Sequence, residues 1–309
     1  MGMAILLFAL PQFLSNAYQT KIATETLLYM GLAVSWTLFS GFSGYVSFGH
    51  AAFFGLGAYV TGLATQRHDL GLVAALSLSF LLVGAFASAV GLLTLRLRGH
   101  YFAIATLGLA EAMKATVDWG HSYTLGTFGF ALPIDIVNRA QETKYYVMAT
   151  FLIVVVAVGI AILWSSYGLR LIAIREDEIA AEALGISPAL TKISALGISG
   201  AFTGLFGGLF AWTQGFLTPE AVFAPRWSLE LVVMSIVGGA GTLVGPLVGG
   251  LVFYLLPEVL IENKVILQRR DELYLMMVGI VLIIVMLFAK QGIFGTLQRS
   301  RFWPKGFRL

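Results

Sequence analysis

Long apolar runs constrain this chain more than any other feature. Residues 70–95, 145–169 and 193–219 carry no charged side chain. Each exceeds the roughly 20 residues that take an α-helix across the hydrocarbon core of a bilayer. No water reaches the backbone there, so a spanning segment must satisfy its own N–H and C=O groups, as a helix does. Of the 309 residues, 58% are hydrophobic and only 11% are charged, against about 25% charged in a soluble domain. That is too little charge to coat a water-facing surface. A transmembrane β-barrel would show alternating segments of about ten residues, whereas these runs are continuous. The expected fold class is all-α: a polytopic transmembrane helical bundle.

Candidate spans lie near 3–14, 24–40, 45–65, 70–95, 101–117, 145–165, 191–213, 228–240, 243–260 and 273–290. The first, eighth and ninth are short, so eight to ten crossings are expected, in a single transmembrane domain over 1–309. The apolar N-terminus lacks the basic n-region of a cleavable signal and reads as a short first membrane segment. The longest polar gap, 118–144, is too short for a soluble module. With the 168–190 loop taken as cytoplasmic, Lys and Arg divide almost evenly between the two sides. The C-terminal tail is more telling, because Arg299, Arg301, Lys305 and Arg308 follow the last acid, Glu272. This places the tail inside, and an even number of spans puts both termini there.

Between two apolar runs sits the polar sequence Arg175-Glu176-Asp177-Glu178-Ile179-Ala180-Ala181-Glu182-Ala183-Leu184-Gly185-Ile186-Ser187-Pro188. It reads as a short helix outside the bilayer. Its acidic first turn suits the positive end of the helix dipole. Gly185 can take the left-handed conformation that ends a helix, and Pro188 blocks continuation. An ordered surface helix on a membrane protein is a place for something to dock. Arg175, Glu176, Asp177, Glu178, Ala181, Leu184 and Gly185 are its candidate residues.

Glycines recur at spacings of four, Gly200-Gly204-Gly208 and Gly241-Gly245-Gly249. This puts them on one helix face, where a neighbouring backbone can approach closely. A second reading is that Gly238-Gly239-Ala240-Gly241 with Pro246 breaks a helix and exposes backbone to a substrate path. The stretch 41–59 mixes glycines and aromatics with Ser43, Ser47 and His50, and such polar groups face a bundle interior rather than lipid. Phe48, Phe53 and Phe54 there either pack against glycines, which is the favoured reading, or line a cavity. Ser47, His50, Phe53, Gly239 and Gly241 are the candidate translocation-path residues.

Chemical motifs are scarce. There is no cysteine, which excludes disulfides and thiol chemistry. His50, His68, His100 and His121 lack metal-ligand spacing, so no metal site is expected. No catalytic constellation and no phosphate-binding loop occurs, so the chain is expected to bind no cofactor and to be no enzyme. A formal charge of +3 does not call for nucleic acid. Glu111 and Lys114 fall three apart and are expected to pair. So few acids within the spans argue against an ion-coupled carrier, and the lack of a polar catalytic cluster argues against an intramembrane enzyme.

Four stretches together resemble the branched-chain amino acid ABC permease family, in its LivM-type membrane subunit. Residues Arg175 to Ile186 resemble its cytoplasmic coupling loop. Gly99-His100-Tyr101-Phe102-Ala103-Ile104-Ala105-Thr106-Leu107-Gly108 resembles its G-x-Y-F-A-x-x-T-L-G segment. Gly44 to Tyr59 resembles its G-x-x-S-x-G-x-A-x-F-x-x-G-A-Y region, and Gly207 to Pro246 its late glycine-rich part. The resemblance implies a multi-pass permease of the bacterial inner membrane, paired with a second permease subunit, usually as a heterodimer. It also implies two ATP-binding cassette subunits that bind ATP and grip the coupling loop, and a binding protein that delivers substrate from outside. The implied cargo is branched-chain or other amino acids; members of the family also move urea, short amides or carboxylates. One departure bears on cargo. Where the family often has T-G-G-x-x-G-L, this chain reads Thr124-Leu125-Gly126-Thr127-Phe128-Gly129-Phe130.

Overall fold

A chain that must hide its own backbone hydrogen bonds has few options besides helix, and helix is what forms. The computed structural model describes residues 7, 8, 11, 16–97, 99–120, 124–239, 241–261, 276 and 279. In chain order the helices are α1 (Ala17–Trp36, extended by a π-turn over Thr37–Gly41), α2 (His50–His68), α3 (Leu72–Thr94) and α4 (His100–Trp119). There follow a 3-10 turn (Gly126–Phe128), strand β1 (Phe130–Ala131), α5 (Ile134–Val137), α6 (Gln141–Leu163), α7 (Ser166–Glu176) and α8 (Glu178–Ala183). The last are α9 (Pro188–Gln214), β2 (Phe216–Leu217), α10 (Pro219–Phe223), α11 (Arg226–Gly238) and α12 (Val244–Ile261). Eight of the ten predicted spans coincide with these helices. The predicted spans 3–14 and 273–290, and the basic tail, fall almost wholly outside the described residues.

Among the described residues, five helical stretches are long and apolar enough to cross a membrane: Ala17–Gly41, Leu72–Thr94, Gln141–Leu163, Pro188–Gln214 and Pro219–Gly238. At the centre, α9 is wedged between α2 and α3. A side chain at Gly57 would collide with the backbone of Gly204, one at Gly200 with Ala87, and one at Gly208 with Thr61. The four-residue glycine repeat is therefore a packing stripe that lets three backbones meet. Ser79 Oγ staples all three, facing the carbonyls of Gly57 (3.2 Å) and Gly204 (3.1 Å). The second repeat works alike, since Gly249 abuts the Met234 backbone and Gly238 that of Gly245, closing α11 on α12.

These contacts also fix direction. The pairs 57–204 and 61–208 make α2 and α9 parallel, and the pairs Val83–Gly204 and Ala87–Gly200 make α3 antiparallel to both. One end of the bundle thus collects 42–49, α7, α8 and 239–243, and the other collects 69–71, 124–140 and 215–225. The second end is capped by pairing of β1 with β2, Phe130 opposite Leu217. Trp212 Nε1 donates to the Ile136 carbonyl at 2.7 Å and holds α5 in the same cap. The described part of the polar gap at 124–144 is thus a folded lid rather than a free loop.

Candidate functional site

At the first end, the expected single helix over 175–184 is divided in two. Helix α7 runs on through Glu176, and Asp177 leaves it with extended backbone, φ −156° and ψ 108°. Its carboxylate accepts hydrogen bonds from the N–H groups of Ile179 (2.9 Å) and Ala180 (3.0 Å). A capping side chain competes with helix continuation, so Asp177 ends one helix and starts the next. Helix α8 closes at Gly185, φ 83°. There Ile186 N–H bonds the Ala181 carbonyl (3.1 Å) and Gly185 N–H that of Glu182 (2.9 Å). This pair of bonds is a Schellman stop, which needs the left-handed conformation at glycine. Pro188 then opens α9, where its missing N–H costs nothing.

The candidate residues of this loop separate into two faces. Glu178 turns toward the bundle. Its carboxylate accepts from the Tyr45 hydroxyl (2.6 Å) and from Lys192 Nζ (2.8 Å). Lys192 Nζ also lies 3.1 Å from the Tyr45 hydroxyl and 4.2 Å from that ring's centroid. The Lys192 side chain is 3% exposed and that of Glu178 is 21% exposed, and charges so far from water persist only when paired. Ala181 is buried beside them. Arg175, at the end of α7, donates to the Gly41 carbonyl (3.3 Å), where the π-turn of α1 ends, and pairs with Glu176 (3.1 Å). Its guanidinium also fills the space that a side chain at Gly241 would need. The loop is thereby tied to both breaks in the bundle, at 37–49 and at 239–243. Facing outward are Glu176, Gly185, Leu184 (81% exposed) and Ile179 (70% exposed). Sequence reasoning did not single out Ile179. The available signal was a large apolar side chain inside an otherwise polar helix.

The path candidates separate as well. Ser47, His50 and Phe53 sit together in the closed interior. Ser199 Oγ donates to the Ser35 carbonyl at 2.6 Å, so its lone pairs receive the His50 Nε2–H at 2.8 Å. His50 Nδ1 is then left as acceptor for the Ser47 hydroxyl at 3.2 Å. A chain of partners ending on a carbonyl, which cannot donate, assigns the tautomer. Phe53 meets the His50 ring edge-on at 5.5 Å. Gly239 (φ 128°) and Gly241 (φ 87°) lie instead in the turn between α11 and α12, Gly241 against Arg175. The expected Glu111–Lys114 pair is corrected. Lys114 joins Glu220 on α10, while Glu111 stays exposed. The closeness of α10 to α4 decides this, which spacing along one helix cannot show. Among the described residues no three His, Asp or Glu gather as metal ligands.

Residues 18–286 match the family model of the branched-chain amino acid transport system / permease component. The chain belongs to this family. The permease is 29% identical over 320 residues to the high-affinity branched-chain amino acid transport system permease protein LivM of Salmonella typhimurium, covering 94% of this chain and 73% of that one. It is 28% identical over 309 residues to the same protein of Escherichia coli K12, covering 91% and 71%. No solved structure matches it. Family and apolar helices together make it a multi-pass permease of the inner membrane.

Proposed function

We propose that this permease is a membrane subunit of an ATP-binding cassette importer. A second permease subunit completes the pathway as a heterodimer, two ATPase subunits dock on the cytoplasmic loops of the two permeases, here the 168–190 loop, and a binding protein delivers cargo at the opposite end. This chain binds no cofactor; ATP sits on the ATPases. The observation that carries the reading is a short, doubly capped helix with two unlike faces. One face is pinned to the bundle through Glu178 and Lys192, and Arg175 anchors the end of α7 just before it. The other offers Ile179 and Leu184 to a partner. Apolar side chains in the open are what a docking cleft takes up. Arg175, at the end of α7 just before α8, contacts Gly41 and lies against Gly241 with one guanidinium, so motion at the loop would be passed to both bundle breaks.

Branched-chain or other amino acids are the cargo that the relatives' names support. Urea, short amides and carboxylates remain the competing cargo. The lid there departs from the family pattern, with Phe130 buried edge-on against Tyr59 at 5.4 Å. The test of the docking reading is copurification with the ATPases and uptake coupled to ATP hydrolysis. Ile179→Asp and Leu184→Asp are expected to release the ATPases and abolish uptake while leaving the melting profile intact. Normal uptake by both variants would show that α8 is not the docking point. Uptake without any ATPase, driven by an ion gradient, would favour a secondary carrier.

A further inference from the structure

Helix α4 stands apart from the helices around it. It begins with Phe102 packed on Phe39 and Tyr45, beside the α8 end, and Lys114 reaches Glu220 near the other end. Its 20 residues rise about 30 Å, the thickness of a bilayer core. It nevertheless carries Glu111, Lys114 and Asp118 and is not among the helices apolar enough to cross by composition. Helix α2 is also not among them, but α2 is buried on most sides, whereas α4 has an open stripe of Ile104, Gly108, Glu111 and Ala115. Lipid against that stripe would strip Glu111 of water and leave it only the field of Lys114, which already pairs with Glu220; an intramembrane charge so placed is costly.

The charges around it are of both signs. Lys114 and Glu220 form a pair with side chains 25% and 76% exposed. Behind them the Tyr59 hydroxyl and Asp118 Oδ1 are buried without a hydrogen-bond partner among the described residues. Tyr59 is 2% exposed, and Asp118 acts on it electrostatically. Buried polar atoms left open in this way mark a place where water or a ligand completes the bonding.

We infer that the α4–α10 face bounds the aqueous cargo path, and that Lys114 and Glu220 contact a zwitterionic amino acid there. This rests on the transport reading above and names its cargo contacts. The cargo carboxylate takes the place of Glu220 on Lys114, and the cargo ammonium bonds Glu220 with Glu111 beside it. One ion pair is exchanged for two, and no charge is stranded. A simple carboxylate would leave Glu220 unpaired, a simple amine would leave Lys114 unpaired, and urea has no charge with which to open the pair.

The chain has no cysteine, so single thiols report on this face without background. A side chain added at Gly108 meets nothing within 4 Å, which makes Gly108→Cys structurally safe. Glu111→Cys tests the charge position itself, and Leu81→Cys, on the exposed apolar side of α3, is the lipid-facing control. In membrane vesicles carrying the intact transport system, a hydrophilic methanethiosulfonate is expected to modify G108C and E111C at least tenfold faster than L81C. Leucine should slow the modification of G108C several-fold, while isocaproate and isoamylamine should not, and Lys114→Met should abolish the protection. Reaction at G108C no faster than at L81C overturns the aqueous path. Equal protection by isocaproate, or none by leucine, overturns the zwitterion contact. Failure of the ATPases to copurify defeats the importer reading instead and leaves these labelling rates unchanged.

Discussion

Two of the Lys–Glu pairs among the described residues sit at opposite ends of one bundle, and they are built for different purposes. Glu178–Lys192 is buried, shares the Tyr45 hydroxyl and links a surface helix to α9. Lys114–Glu220 is more open to solvent and links α4 to α10, with Glu111 and Asp118 acting on Lys114 electrostatically. Removing one member of a buried pair leaves an uncompensated charge and costs about 3–5 kcal/mol. An exposed pair contributes roughly 0–1 kcal/mol, because water and salt screen it. The first pair is therefore structural in its energetics and mechanical in its placement. The second adds little stability, and the proposed cargo contact is what would give it a role.

The sharpest way to break that contrast is Lys192→Met, expected to lower stability by about 3–5 kcal/mol in thermal melts of purified protein. A small effect would mean that the Glu178 clasp does not hold α8. Asp177→Ala should come next. It removes the acceptor of two N–H groups, and caps of this kind contribute about 0.5–2 kcal/mol. Proteolysis within 177–186 should rise with it. Leu125→Gly has the opposite sign. Leu125 sits at φ 61°, a left-handed conformation that costs a side-chain-bearing residue roughly 1–2 kcal/mol, partly offset by about 0.5–1 kcal/mol of glycine backbone entropy. A net gain of about 0.5–1 kcal/mol is expected from the same melts, and a loss would mean that Leu125 packs in the intact transporter. The smallest effect on stability is expected for Lys114→Met, within about 1 kcal/mol, alongside a loss of leucine uptake of at least tenfold. A large stability loss there would make the two pairs alike and undo the comparison.

Much of the architecture was legible from the residues. The apolar runs gave eight described helices near their expected places, because a bilayer-length run has only one way to satisfy its backbone. The spacing of Gly200, Gly204 and Gly208 marked the packing face of α9, because a four-residue repeat is a property of one helix. The Gly185 stop was legible for the same reason, being a local requirement of the chain. The Asp177 break was less so. The stretch read as one acidic helix, and only the competing side-chain bonds show that it is two.

What the residues by themselves determined was therefore everything that acts within one turn or one span: helices, caps, breaks and the small-residue stripe. What only the tertiary structure decided was partnership. Lys114 turned from Glu111 to Glu220, Glu178 turned inward to Lys192 and Tyr45, and His50 joined a chain of hydroxyls from Ser199 to Ser47. These contacts join residues from 106 to 149 positions apart, those between Glu178 and Lys192 and between His50 and Ser47 excepted. A charge or a hydroxyl bonds whatever the fold brings within about 3 Å, and distance along the chain carries no information about that.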